Sequence, residues 1–101
     1  MRYYSIIDAI SDLQARGFFL DFSLIGNKIL CAQEKCYLAP EEFDVLEMYS
    51  FHVEGPGRSD TVVYAIESRS RPLKGILLNS GNRSTTPVPP VLFRKIRKFW
   101  V

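Results

Sequence analysis

The feature of this sequence that most limits its fold is a series of short strand-like segments separated by residues typical of tight turns. Residues 18 to 24 follow a period of two, and one side of this segment carries Phe18, Leu20, Phe22 and Leu24. That period is typical of a half-buried β-strand. Gly26-Asn27 tolerates positive φ and is followed at once by an apolar run, so the sequence predicts a hairpin here.

The same alternation of strands and reversals continues through most of the chain. A second reversal is expected around residues 33 to 35, and Pro40 with the acids after it is suited to a short helical turn. Further strand-like segments cover residues 45–54, 61–68 and 73–79, although the alternation in 45–54 does not indicate which side is buried. Because the connections are short, we expect about five strands in antiparallel meander order.

Helices are predicted at both ends of the chain. Ser5 can cap a first helix together with Asp8, and Gly17 can end that helix. After a connector with three prolines, a last helix has an apolar arc of Leu92, Phe93, Ile96, Phe99 and Trp100, with cations filling the remainder. The predicted fold is therefore α+β, with the N-terminal and C-terminal helices packed on one face of an antiparallel sheet.

Length and composition favour a single domain that spans residues 1–101, in which residues 83–101 form a proline-rich connector and a basic helix. A chain of 101 residues with 47% hydrophobic content is about large enough for one core. It has neither a run of apolar residues long enough to span a membrane nor a signal-peptide pattern. We therefore expect a cytoplasmic protein without membrane contact.

The charges are divided unequally along the chain. Residues 1 to 67 hold all eleven carboxylates against five cations, a net charge of −6, whereas the residues from Ser68 onward hold eight cations and no acid. The net charge of +2 hides this division. Such an asymmetry is typical of a chain with a basic interaction surface.

The last helix is the first candidate for that surface. Its cations are Arg94, Lys95, Arg97 and Lys98, which are suited to phosphate contacts, and Phe99 or Trp100 is suited to stacking on bases. Two other interpretations stay open. The apolar arc can cover the chain's own sheet, with the cations turned to water, or it can pack on a second copy or an acidic partner.

A second candidate is the loop before the strand at residues 61–68. Gly55 and Gly57 allow a close backbone approach to an anion, and Arg58 and Ser59 add polar groups. The segment lacks the lysine-threonine ending of a P-loop and joins two strands. A plain hairpin loop is the alternative.

Metal and catalytic chemistry find little support in the sequence. Cys31 and Cys36 can face each other across a hairpin as a redox pair, but their spacing does not suit a zinc site, and packed thiols are the simpler interpretation. His52 is the lone histidine, and nothing identifies partners for it in a catalytic triad. We therefore predict no metal site, no cofactor and no catalytic residue.

Several segments resemble a family of small bacterial proteins. They are Ala15 to Phe18, Asp21 to Leu24, Pro40 to Tyr49, Tyr64 to Ile66 and Lys74 to Leu78. The resemblance covers about residues 5 to 82. Members of this family are commonly labelled phosphoribosylpyrophosphate synthetase. It implies a phosphoribosyl- or nucleotide-binding protein or a small enzyme.

From the residues alone, we expect a non-catalytic binding or regulatory module. It would act through protein or nucleic-acid contacts of its basic C-terminal helix. The expected partners are nucleic acid, an acidic protein or a second copy of the chain in a homodimer.

Overall fold

The computed structural model describes residues 4–53, 59–81 and 90–96. These residues form two α-helices, six β-strands and one turn of 3₁₀ helix. In chain order the elements are α1 (Ile6–Ala15), β1 (Leu20–Ile25), β2 (Lys28–Cys31), β3 (Cys36–Leu38), the 3₁₀ turn Pro40–Glu42, β4 (Phe43–Val53), β5 (Ser59–Ser68), β6 (Lys74–Gly81) and α2 (Pro90–Ile96).

Helix α1 begins and ends where the sequence predicts. Ser5 has an extended backbone at the N-cap, and its Oγ accepts a hydrogen bond of 3.1 Å from the backbone N–H of Asp8. This bond satisfies one of the amides that a first helical turn leaves without a partner. Gly17 follows the helix with a φ of 106°, a left-handed conformation that glycine adopts without strain.

Two tight turns join β1, β2 and β3, as predicted. Gly26 has a φ of 63° in the first turn, and Lys35 has a φ of 50° in the second. β1 pairs antiparallel with β2, and β2 pairs antiparallel with β3. Local turn residues thus build a first antiparallel unit near the N-terminus.

Strands β4, β5 and β6 form a second, longer antiparallel unit. The 3₁₀ turn that precedes β4 is the short helical turn predicted at Pro40. Beyond β5, Ser68 N–H donates to the carbonyl of Leu73 at 2.9 Å, and Arg69 N–H donates to the carbonyl of Glu42 at 2.7 Å. The first bond closes the turn into β6 at Arg71-Pro72, where the sequence predicts a break, and the second ties the end of β5 to the 3₁₀ turn before β4.

A β-bulge at Leu46 changes the face that β4 presents. Val45 pairs with Ile66 and Glu47 pairs with Ala65, so the register shifts between them. Because successive residues of β5 point to opposite faces, Val45 and Glu47 also lie on opposite faces. Strict alternation would have put them on the same one, which explains why the pattern of residues 45–54 does not indicate a buried side.

The two antiparallel units join through a parallel pair. The strand order is β3-β2-β1-β6-β5-β4, and β1 runs parallel to β6, with Leu20 opposite Gly75 and Phe22 opposite Leu77. The prediction of a five-stranded antiparallel meander is therefore wrong, since the described residues form a mixed six-stranded sheet. The difference arises because β6, the last strand, pairs with β1, the first strand, and the two run in the same direction.

Each face of the sheet is covered by a different helix. On the α1 face, Leu13 packs with side chains of β5, β6 and the segment before β1, namely Val63, Ala65, Ile76 and Phe18. On the α2 face, Leu92 and Ile96 pack in a cluster that includes Phe22, Ile29, Phe43, Val45, Tyr64, Ile66 and Leu77. The expectation that both helices share one face does not hold, because residues 63 to 66 of β5 are apolar on both faces.

Gly75 allows β1 and β6 to approach each other closely. A Cβ atom at this position would lie 2.4 Å from the carbonyl oxygen of Leu20 and 2.7 Å from a ring carbon of Phe22. The first of these atoms belongs to the backbone and cannot move aside without shifting β1. Glycine is therefore required where the two antiparallel units meet.

We expect Gly75→Ala to destabilise the protein by roughly 1 to 3 kcal/mol, because the added methyl group pushes β1 away from β6. Urea unfolding followed by circular dichroism measures the change in the free energy of unfolding. Ser23→Ala is the matched control, since Ser23 is an exposed position of β1, and it should change that energy by no more than about 0.5 kcal/mol. A Gly75→Ala variant as stable as this control would contradict the assigned pairing.

Candidate nucleic-acid interface

Helix α2 is anchored to the sheet by its apolar side. The side chains of Leu92 and Ile96 are 0% and 1% exposed, and both belong to the cluster on the α2 face. Residues four apart lie on the same side of a helix. Of the interpretations that the sequence leaves open, the described part of α2 supports the one in which the apolar arc covers the chain's own sheet.

The two described cations of α2 differ in their surroundings. Arg94 is exposed. Lys95 is half-buried, and its Nζ lies 4.8 Å from the centre of the Phe43 ring, a distance suited to a cation–π contact. Lys95 therefore helps to dock α2 beside β4, while Arg94 faces outward.

The other candidate residues of the basic helix lie outside the described residues. Arg97, Lys98, Phe99 and Trp100 follow the last described position, Ile96. In the candidate anion loop, Gly55, Gly57 and Arg58 also lie outside, and Ser59 is the first residue of β5. Of the ten candidate residues, the structure therefore describes the side chains of two, Arg94 and Lys95.

Other cations of the acid-free segment lie next to carboxylates of the sheet. Arg69 Nη2 lies 3.7 Å from Asp44 Oδ2, and Lys74 Nζ lies 3.4 Å from Glu67 Oε2. These partners come from the acidic part of the sequence, so part of the charge asymmetry is neutralised within the fold. Arg94 is set apart from them on the outer side of a helix that carries no acid.

An open cleft of about 500 Å³ lies at the end of the sheet where β5 turns into β6. Its lining includes Phe19, Glu34, Glu67, Arg71 and Lys74. Sequence reasoning missed this cleft because its walls come from three segments that are distant in sequence. One local signal was available, since the exposed Phe19 interrupts the polar side of the β1 pattern.

An ion-pair network on the α1 face ties the end of α1 to β4. Arg16 meets Glu47 with two parallel bonds, from Nη2 to Oε1 at 2.8 Å and from Nη1 to Oε2 at 2.9 Å. Asp12 also accepts a bond from Arg16, and Tyr49 donates its hydroxyl to Glu47. The guanidinium of Arg16 holds the pKa of Glu47 below its ordinary value, against the opposing effect of partial burial.

This network makes stability depend on pH in one direction. Because the pKa of Glu47 is lowered in the folded state, its contribution is present above the ordinary glutamate pKa of about 4.3 and is lost as the pH falls through and below that value. We expect the free energy of unfolding to fall more in the wild type than in Glu47→Gln between about pH 6 and pH 3. Arg16 is well exposed, so the difference should be under about 1 kcal/mol.

Denaturant unfolding at several pH values measures this difference. Glu34→Gln provides the matched control, since it removes the same charge from an exposed position in the β2–β3 turn, and its pH profile should follow the wild type. Profiles of Glu47→Gln and wild type that superimpose would show that the pair contributes nothing.

The phenol of Tyr64 is buried on the α2 face. Its side chain is fully buried, and among the described residues its hydroxyl has no hydrogen-bond partner of ordinary geometry. Burial raises the pKa of Tyr64, and Asn79, on the same face of β6, opposes this shift. The side chain belongs to the core cluster of the α2 face.

The described residues give no support to a metal centre or a membrane span. Among them, no three His, Cys, Asp or Glu side chains lie together in a way that could hold a metal ion. Within the same ranges, neither helix is long and apolar enough to cross a membrane. His52 is exposed near the end of β4.

Comparisons with known proteins were negative: no family model, curated protein or solved structure matches the chain. The resemblance to the small bacterial proteins labelled phosphoribosylpyrophosphate synthetase therefore stays a prediction.

Proposed function

We propose that the protein is a non-catalytic binding module that binds nucleic acid through the basic outer surface of its C-terminal helix. The exposed Arg94 defines this surface in the described part of the helix, and the cations Arg97 and Lys98 follow it in sequence. The observation that carries the proposal is the burial of Leu92 and Ile96 on the chain's own sheet. An anchored helix presents its outward cations without needing a partner to fold on.

Electrostatics favour a polyanion as the partner. The segment from Ser68 to the last residue has eight cations and no acid, and Arg69 and Lys74 lie beside carboxylates on the surface of the sheet. The cations of the last helix are the part of this positive charge that lies farthest in sequence from any acid. Regularly spaced phosphates release counterions when such cations approach, which makes binding favourable at low salt.

Nucleic acid is preferred over an acidic protein because aromatic residues accompany these cations. Phe99 and Trp100 directly follow Lys98 in the sequence. Aromatic side chains beside a basic surface are suited to stacking on unpaired bases, a contact that an acidic protein surface does not offer. Single strands are therefore the favoured form.

Fluorescence anisotropy with a short labelled single strand and a duplex, at several salt concentrations, tests the proposal. We expect saturable binding that strengthens as the salt concentration falls, with the single strand bound more tightly. Arg94→Ala should weaken binding and reduce the slope of log K against log salt by about one unit. Lys28→Ala, which removes one charge from an exposed position in the β1–β2 hairpin, should leave the slope unchanged.

Two results would refute the proposed surface. One is the absence of binding at low salt, and the other is an equal effect of Arg94→Ala and Lys28→Ala on binding. If sedimentation then showed a concentration-dependent dimer, self-association would replace nucleic acid as the function of the helix. If the immobilised protein instead retained an acidic protein, a protein partner would be favoured.

The alternative is a phosphoribosyl- or nucleotide-binding protein, as the resemblance implies. Its support is the cleft of about 500 Å³, which has Arg71 and the exposed Phe19 in its lining. The loop with Gly55, Gly57, Arg58 and Ser59 is the other candidate for holding a phosphate. Calorimetric titration with ATP separates the two sites, because binding lost in Arg71→Ala assigns the cleft and binding lost in Arg58→Ala assigns the loop.

A further inference from the structure

Cys31 and Cys36 occupy directly opposite positions on neighbouring strands. They are paired residues of β2 and β3, in the last pair before the turn that joins these strands. Opposite residues of antiparallel strands have Cα atoms about 4.5 to 5.5 Å apart, and disulfides span Cα distances of about 4.4 to 6.8 Å. The backbone therefore holds the two residues at a separation suited to a disulfide bond.

The two side chains also point to the same face of the sheet. Cys31 belongs to the core cluster of the α2 face, and Cys36 packs against that cluster. Both thiols are free in the structure, Cys31 buried and Cys36 half-buried. One thiol of the pair is thus closer to solvent than the other.

The turn between the two cysteines is held independently of them. Gln33 bridges it to β1, since its Oε1 accepts a bond from the backbone N–H of Asp21 and its Nε2 donates to Asp21 Oδ2, both at 3.1 Å. The Sγ of Cys31 lies 4.0 Å from the same Gln33 Oε1. These contacts fix the turn without a covalent bond, so little reorganisation is needed to form one.

From this geometry we propose that Cys31 and Cys36 form a reversible dithiol–disulfide site that reacts with low-molecular-weight disulfides such as oxidised glutathione. The thiolate of Cys36 attacks one sulfur of the small disulfide, whose S–S bond breaks and releases one thiol. Cys31 then loses its proton to solvent and attacks the Cys36 sulfur, which releases the second small thiol. Two protein thiols are oxidised while one small disulfide is reduced to two thiols.

The order of the two steps follows from burial. Thiol–disulfide exchange requires access to the attacking sulfur, and Cys36 is the more exposed of the pair. Cys31 reaches the mixed disulfide from its neighbouring position inside the core. The product links β3, at the edge of the sheet, covalently to β2.

Incubation of the folded, full-length protein in glutathione redox buffers, followed by acid quenching and mass spectrometry, tests the site. We expect a monomeric product that has lost two hydrogen atoms and both reactive thiols. Because the fold holds the sulfurs together, the equilibrium constant for the intramolecular disulfide should be on the order of tenfold larger in buffer than in denaturant. An equal or smaller constant in buffer would overturn the proposal, as would a product consisting of disulfide-linked dimers.

Two variants test the order of attack. Cys31→Ala should accumulate the mixed disulfide at Cys36, whereas Cys36→Ala should react many times more slowly because Cys31 is buried. Circular dichroism shows whether each variant is folded. If one variant is not, the measurement on the wild type alone tests the proposal. Equal rates of modification in the two variants would contradict the assigned roles.

Discussion

Because β1 pairs in parallel with β6, two antiparallel units that are each specified locally become one sheet. The turns at Gly26 and Lys35 build the first unit, and the long pairing of β4, β5 and β6 builds the second. Gly75 decides whether the units can meet, since a side chain there would collide with the backbone of Leu20. Helix α2 depends on this junction, because the cluster under it draws residues from strands of both units. Helix α1 precedes β1 in the chain and packs on β5 and β6 of the other unit.

Sequence reasoning succeeded where structure is determined by neighbouring residues and failed where it is determined by distant ones. The cap at Ser5, the end of α1 at Gly17 and the two hairpins each depend on a few consecutive residues. The parallel pair joins residues more than fifty positions apart, and no local pattern specifies it. The bulge at Leu46 reverses the faces of β4 within an apparently regular alternation. For the candidate site, helical spacing correctly placed Leu92 and Ile96 on one side of the last helix but left open what that side covers. The cleft around Arg71 could not be predicted, because three separate segments form it.

The proposed function depends on which cations of the acid-free part of the chain are paired within the chain and which are exposed. Arg69 and Lys74 lie beside carboxylates of β4 and β5, and Lys95 lies over the ring of Phe43. In these contacts, basic residues are paired with groups of the same chain. Arg94 is exposed on a helix whose apolar side is already buried. A basic surface on an anchored helix loses little conformational entropy when it binds, which is the physical advantage of the arrangement.

We expect the β1–β6 pairing to join the two units so firmly that they unfold together. Native-state hydrogen exchange, resolved by residue across increasing low concentrations of denaturant, measures this coupling. The slowest amides of β1 and β2 should exchange with the same free energy of opening as those of β5 and β6. If β1 and β2 instead opened at a distinctly lower free energy than β5 and β6, the N-terminal unit would be a separate, loosely attached element, and the β1–β6 pairing would not join the two units into one cooperative sheet.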